Sequence, residues 1–125
     1  MRPGKMTTEF LEAFAEAFNR HDVEAILVAM TEDCVFEASA GPDVCGRRYE
    51  GPQEVGKAFA EVFETFPDAR WRDARHFFIG DRGLSEWTFS GTRLDGTRVE
   101  VTGCDIFTFR DGKIAVKNSY RKQRT

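Results

Sequence analysis

The chain has 125 residues, enough for one domain with a substantial core and too few for two. Hydrophobic residues make up 41 %, charged residues 31 %, and the net charge is −3, the profile of a soluble globular protein. Lys and Arg are scattered except for Arg121, Lys122 and Arg124 near the end, which argues against a nucleic-acid surface.

No apolar run approaches the roughly 18 residues that a membrane span needs. No apolar segment follows Met1 to Lys5, so no signal peptide is visible. Cys34, Cys45 and Cys104 show neither C-x-x-C nor metal-ligand spacing, and no cofactor motif appears. An odd cysteine count without a framework suggests reduced thiols and a cytoplasmic setting. Twelve phenylalanines against two tyrosines suggest a large aromatic interior or a pocket with apolar walls.

Thr7 or Thr8 is placed to cap a helix that begins near Glu9. Phe10, Leu11, Phe14 and Phe18 form its apolar stripe. The helix stops around Asn19-Arg20-His21, and Asp22 caps a shorter one carrying Val23, Ile26, Leu27 and Met30. His21, in the junction between two helices, reads as structural or exposed. Cys34 to Ser39 reads as a strand, broken at Gly41-Pro42-Asp43 and followed by a polar loop to Glu50. Gly51-Pro52 starts a third helix, with Pro52 where its missing N–H costs nothing. Val55, Phe59, Val62, Phe63 and Phe66 make its apolar face, and Pro67 ends it.

Everything afterwards reads as antiparallel sheet. Strands are expected over Ala69 to Ile79 and Leu84 to Thr92. A hairpin from Val99 to Tyr120 then turns at Asp111-Gly112. Side chains alternate along a strand. Val99, Val101, Asp105, Phe107 and Phe109 therefore share one face, with Gly103 leaving a gap among them. A carboxylate in such company is costly unless it is hydrogen-bonded, paired or protonated, which makes Asp105 the first candidate for chemistry. Helices early and strands late predict an α+β fold, with helices on one side of a curved sheet.

Several motifs together carry a family resemblance. They are the N-R-H-D junction, T-E-D-C-V-F-E, Y-E-G-P-Q-E-V, W-T-F-S-G-T and D-I-F-T-F-R-D-G-K-I. From about Thr7 to Tyr120 the chain resembles an NTF2-like domain of the SnoaL-like polyketide cyclase and ketosteroid isomerase group. The resemblance implies a cone-shaped barrel whose curved, mainly antiparallel sheet and three helices enclose an apolar cavity. It also implies a common tendency to dimerise. The single domain would run over residues 7–122, with flexible tails at 1–6 and 123–125.

Site residues follow by matching positions. The tyrosine of ketosteroid isomerases falls on Phe14 here, and their base falls on Ala38, or on Glu37 if the register slips by one. Their protonated, hydrogen-bond-donating aspartate has a counterpart in Asp105. The Asp-Arg-Asp cluster of the fold's epoxide hydrolases falls on Glu86, Thr88 and Ser119 and is absent. A cyclase of the SnoaL type needs only a pocket carboxylate, which Asp105 supplies.

Asp105 is thus the expected acid or base. Phe14, Phe18, Phe36, Ala38, Phe59, Phe63, Glu86 and Phe107 are the expected pocket wall. The bland alternative for Asp105 is a set of hydrogen bonds that hold the sheet. Burial among Val101, Phe107 and helix phenylalanines disfavours its charged form unless an arginine or several donors reach it. Glu86 is a second possible acid, and which face of its strand lines the pocket stays open. His76 has no visible carboxylate partner and reads as non-catalytic.

Three functions are compatible with these residues. The first is proton-transfer chemistry on a hydrophobic carbonyl compound, of isomerase, cyclase or dehydratase type. The second is non-catalytic binding of a small hydrophobic molecule. The third is a homodimeric interaction module whose cavity is closed by Phe14, Phe36, Phe59 and Phe63. Apolar side chains on both faces of the late strands predict a homodimer through the outer sheet face.

Overall fold

The computed structural model describes residues 5–125. Helix α1 spans Thr8–Asn19 and α2 spans Val23–Val28. Strand β1 (Met30–Glu37) and the short β2 (Arg48–Glu50) lead into α3 (Gly51–Thr65). Four strands close the chain: β3 (Arg70–Ile79), β4 (Arg82–Thr92), β5 (Arg98–Arg110) and β6 (Lys113–Arg121). The strands form one sheet in the order β2-β1-β6-β5-β4-β3.

The helix boundaries have local causes. Thr7 Oγ1 accepts from the Phe10 N–H at 3.0 Å, and Asp22 Oδ1 accepts from the Ala25 N–H at 3.0 Å. Each cap satisfies a donor that the first turn leaves without an intrahelical partner. Pro52 stands at the start of α3. Of the predicted stripes, Leu11, Phe14 and Phe18 on α1 and Val55, Phe59 and Phe66 on and just after α3 are buried, joined by Ala17 and Ala58, whereas Phe10, Val62 and Phe63 are only half-buried. Phe59, Phe107, Leu11 and Ile114 are almost fully enclosed.

Three features of the sheet depart from the expectation. Strand β1 starts at Met30, expected on the second helix, and ends at Glu37 rather than Ser39. Arg48–Glu50, expected to be loop, is strand β2 and pairs antiparallel with β1. The β1–β6 pair is parallel, while every other pair is antiparallel. A parallel neighbour requires a long connection, and here α3 and the four intervening strands, β2 to β5, supply it. Register shifts occur between Met30 and Val35, between Arg72 and Arg75, and between Thr108 and Phe109. Such bulges bend their strands and wrap the sheet around the helices.

The β5–β6 hairpin turns where the sequence placed it. Asp111 and Gly112 both have positive φ, 54° and 74°, as a two-residue primed turn requires. Of the expected tails, residues 1–4 lie outside the described residues. Met6 packs against the core, and the Lys122 N–H still donates to the Thr102 carbonyl at 3.0 Å.

The sheet orientation settles the face of β4. Ser85, Trp87 and Phe89 are buried toward the helices, while Glu86 is exposed on the other side. Trp87 and Phe89 are therefore core residues and leave the outer face to Leu84, Glu86 and Thr88. The gap at Gly103 is filled by this arrangement. A Cβ on Gly103 would stand 2.7 Å and 2.8 Å from atoms of the Trp87 indole and 2.3 Å from the Tyr120 carbonyl oxygen. Absence of that one carbon lets the indole lie across β5 and bring its N–H to the next inward residue, Asp105.

Candidate functional site

Asp105 points inward and is 6 % exposed. Trp87 Nε1 donates to its Oδ2 at 3.0 Å. Lys117 Nζ donates to its Oδ1 at 2.9 Å, and the Ser119 hydroxyl donates to the same oxygen. The pairing of β5 with β6 explains the cluster. Asp105 lies opposite Ser119 and Phe107 opposite Lys117 in register, so all four share the inner face of adjacent strands. The acid is thus engaged on both oxygens, and the donors that its burial demanded are present.

Lys117 is the residue that the sequence did not single out. It is 5 % exposed, as deep as its partner. Its ammonium has three protons. Asp105 takes one and Ser119 Oγ, at 2.9 Å, takes another. The nitrogen also lies 4.8 Å from the ring centre of Phe18, 4.9 Å from Phe36 and 5.6 Å from Phe59. Three π-faces give the cation further favourable contact inside the protein. The signal was the alternation of β6, which puts Lys117, Ser119 and Arg121 on one face. A lysine two residues from a buried serine and opposite Phe107 is placed to neutralise Asp105.

A cavity of about 320 Å³ opens over this cluster. Phe18, Phe36, Ala38, Phe59, Trp71 and Trp87 form its apolar wall, and Lys117 and Ser119 reach it from the sheet. Asp105 does not line it. The carboxylate faces a separate void of about 20 Å³ shared with Phe14, Ser85 and Phe107. That is room for about one water. Lys117 borders both spaces and stands between the acid and the larger cavity.

The expected pocket residues therefore divide. Phe18, Phe36, Ala38 and Phe59 line the cavity. Phe14 and Phe107 are absent from its wall and border the small void beside Asp105, in a 5.8 Å edge-to-face contact. Phe63 is absent from the cavity wall because its ring stacks on His21, with centres 4.2 Å apart. Glu86 belongs to the opposite sheet face, where it borders a groove with Asp73, Arg75 and Cys104. Strand alternation puts it one residue out of phase with Trp87, so it cannot act beside Asp105.

The two histidines have separate roles. His21 Nε2 lies 2.9 Å from the Ala69 carbonyl and ties the α1–α2 junction to the start of β3. His76 Nδ1 lies 2.7 Å from Ser85 Oγ. Burial holds the His76 imidazole below its ordinary pKa, and the charge of Glu12 acts in the opposite direction. Among the described residues, no group of three or more His, Cys, Asp or Glu side chains is arranged to hold a metal ion.

With this geometry in place, the comparisons identify the family. Residues 11–117 match the SnoaL-like domain, and the chain belongs to that family. No curated protein matches the sequence. Among solved structures, a candidate polyketide cyclase from Pseudomonas putida superposes with a TM-score of 0.84 at 23 % identity, covering 95 % of this chain and 93 % of the other. An NTF2-like protein of unknown function from Mesorhizobium loti has 28 % identity and a TM-score of 0.72, covering 92 % and 89 %. TerC, co-crystallised with polyporic acid, has 24 % identity and a TM-score of 0.75, covering 91 % and 89 %.

Two measurements check the site. Lys117→Met leaves a buried carboxylate without its cation, and Asp105→Asn leaves a buried ammonium without its anion. Each is expected to lose about 3–5 kcal/mol in urea unfolding, and the double variant much less than the sum. Additive losses would show that the two groups do not act as a pair. The second measurement concerns His76. A folded-state pKa below the unfolded value of about 6.5 means that the unfolded chain binds the proton first. Its contribution to stability is therefore complete above about pH 6.5 and falls as pH drops from there. Melting temperatures between pH 8 and 5 should show that fall, and His76→Gln should flatten it.

Proposed function

We propose that this SnoaL-like domain binds a small hydrophobic carbonyl compound and promotes proton transfer next to its carbonyl group. The observation that carries the reading is a buried cation with one uncommitted proton at the floor of an aromatic cavity. In an apolar enclosure a fixed ammonium stabilises charge developing on a carbonyl oxygen far more than it would in water, while the α-proton passes to a water or buffer base that enters the cavity with the ligand and returns from it. Lys117 touches the ligand in this reading. Asp105 keeps its part in the acid–base couple through Lys117, whose charge it balances and whose position it fixes together with Ser119. Substrate contact thus passes from the carboxylate to its ammonium partner, because Trp87, Lys117 and Ser119 enclose the acid.

Isomerisation, ring closure and dehydration share this demand for a stabilised enolate, so the site supports the class rather than one member. Among the described residues, none outside the cluster supplies a second inward carboxylate beside Lys117, which favours binding without turnover as the second reading. The same pocket serves both.

The discriminating experiment uses 2-tetralone, a two-ring ketone with acidic α-hydrogens, in D₂O. Wild-type protein is expected to accelerate deuterium exchange at the α-carbon above buffer, followed by NMR. Lys117→Met is expected to lose at least about tenfold of that acceleration, the size of a typical electrostatic contribution. Saturable binding of 2-tetralone with no acceleration by wild type would establish the binding module instead.

We also propose that two copies associate through the outer sheet face and that the protein works in the reducing cytoplasm. The helices cover the inner face alone. Leu84, Ile106 and Val116 lie on the other, and Phe77, Phe78 and Ile79 expose an apolar end on edge strand β3. All three cysteines are free. No helix among the described residues is long and apolar enough to cross a membrane. Light scattering at micromolar concentration should give twice the monomer mass. A monomer mass there would reject the dimer.

A further inference from the structure

The mouth of the aromatic cavity carries two guanidiniums that the chemistry at Lys117 does not use. Arg121 is half-buried at the end of β6, on the inner face. Its guanidinium lies 4.5 Å from the ring centre of Phe89, and its Nε donates weakly to Ser39 Oγ at 3.5 Å. Arg93 follows β4 and lies 5.0 Å from the ring centre of Phe66. Both line the cavity. Among the described residues, neither forms an ion pair with a carboxylate, which they share with Arg47, Arg70, Arg75, Arg82 and Arg124; what sets them apart is their place on the cavity wall.

Burial, and after it the charge of Arg93, disfavours the protonated form of Arg121, while Asp105 acts the other way. Asp105 is already committed to Lys117. Among the described residues, Glu61 is the carboxylate on the cavity wall; it is exposed and forms no ion pair with either guanidinium, so it leaves the two like charges uncompensated. The same pair forms the shared wall of a second depression of about 510 Å³, whose further cations are Arg98, Lys122 and Arg124. Arg93, Arg98, Arg121, Lys122 and Arg124 thus gather at one end of an apolar cavity, with Glu100 as the carboxylate of the second depression. Guanidinium groups suit carboxylate and phosphate oxygens, which they meet with paired N–H donors.

We propose that the ligand is an amphiphilic anion, with its apolar ring system in the aromatic cavity and a carboxylate or phosphate group held at the mouth by Arg93 and Arg121. The anion and the reacting carbonyl lie at opposite ends, so Arg121 sets the direction in which the ligand enters and Lys117 meets the buried end. This rests on the reading of the cavity as a ligand site and names the class of ligand that it takes.

The test compares three probes of equal ring size by isothermal titration calorimetry at low salt: 2-naphthoate, 2-naphthyl phosphate and neutral 2-naphthalenemethanol. At least one anion is expected to bind ten-fold or more tightly than the alcohol, and the tighter of the two identifies the group. Arg121→Gln, and separately the exposed Arg93→Gln, should each reduce that preference several-fold while leaving the affinity for the alcohol unchanged. Arg93→Gln alters a surface side chain and keeps the test valid if Arg121→Gln does not fold. Equal affinity of wild type for all three probes would overturn the proposal and leave the cavity as a ligand site. An anion preference that survives in the folded variants would also overturn it. Binding of none of the three would overturn this proposal and the ligand-site reading together.

Discussion

The structure depends on a buried carboxylate–ammonium pair. Transferring either ion alone from water into a protein interior costs several kcal/mol, so Asp105 and Lys117 are tolerable only together and only with their remaining hydrogen-bonding capacity engaged. Trp87 and Ser119 supply donors to the acid, and three phenylalanine faces surround the ammonium. Each of these contacts places a demand elsewhere. The indole reaches Asp105 because Gly103 has no side chain, and Ser119 reaches it because β5 and β6 pair with those two residues opposite. Helices α1 and α3 must then bring Phe18 and Phe59 against the same nitrogen.

The aromatic interior gains a second meaning from this pair. Phenylalanine is the aromatic side chain without a polar group of its own. Phe18, Phe36 and Phe59 therefore exclude water from Lys117 without offering it a competing acceptor. Their rings pack on one another, with Phe18 and Phe59 centres 4.9 Å apart and Phe36 and Phe59 centres 4.8 Å apart. This packing holds the cavity wall while leaving the floor charged. A cavity with apolar sides, a cation below and cations at the mouth has a polarity along its axis, and a ligand with two different ends is the natural complement.

The family shares its fold across proteins with different described roles, so the domain's architecture alone does not select a reaction. What selects one is the identity of the few polar groups that face inward. Here those include Asp105, Lys117, Ser119, Trp87, Ser85 with its partner His76, and the guanidinium of Arg121. The position matching a base in ketosteroid isomerases is Ala38, which contributes only apolar wall. Glu37, the neighbour in the alternative register, is paired with Arg48 at 3.1 Å and does not line the cavity.

The sequence by itself determined the elements that local chemistry controls. Caps at Thr7 and Asp22, Pro52 at the start of α3, the phenylalanine stripes and the Asp111-Gly112 turn depend on residues within a few positions of one another. Alternation likewise determined that Asp105 shares a face with Val101 and Phe107. Alternation is blind to which face turns inward and to what stands across from it. Tertiary structure therefore decided that Trp87 rather than Glu86 meets the pocket, and that β6 runs parallel to β1. It also decided that Phe63 stacks on His21 instead of lining the cavity. The same reason hid Lys117: a lysine in a strand is expected at the surface, and only the β5–β6 register, with a carboxylate already buried opposite, makes the interior its more favourable place.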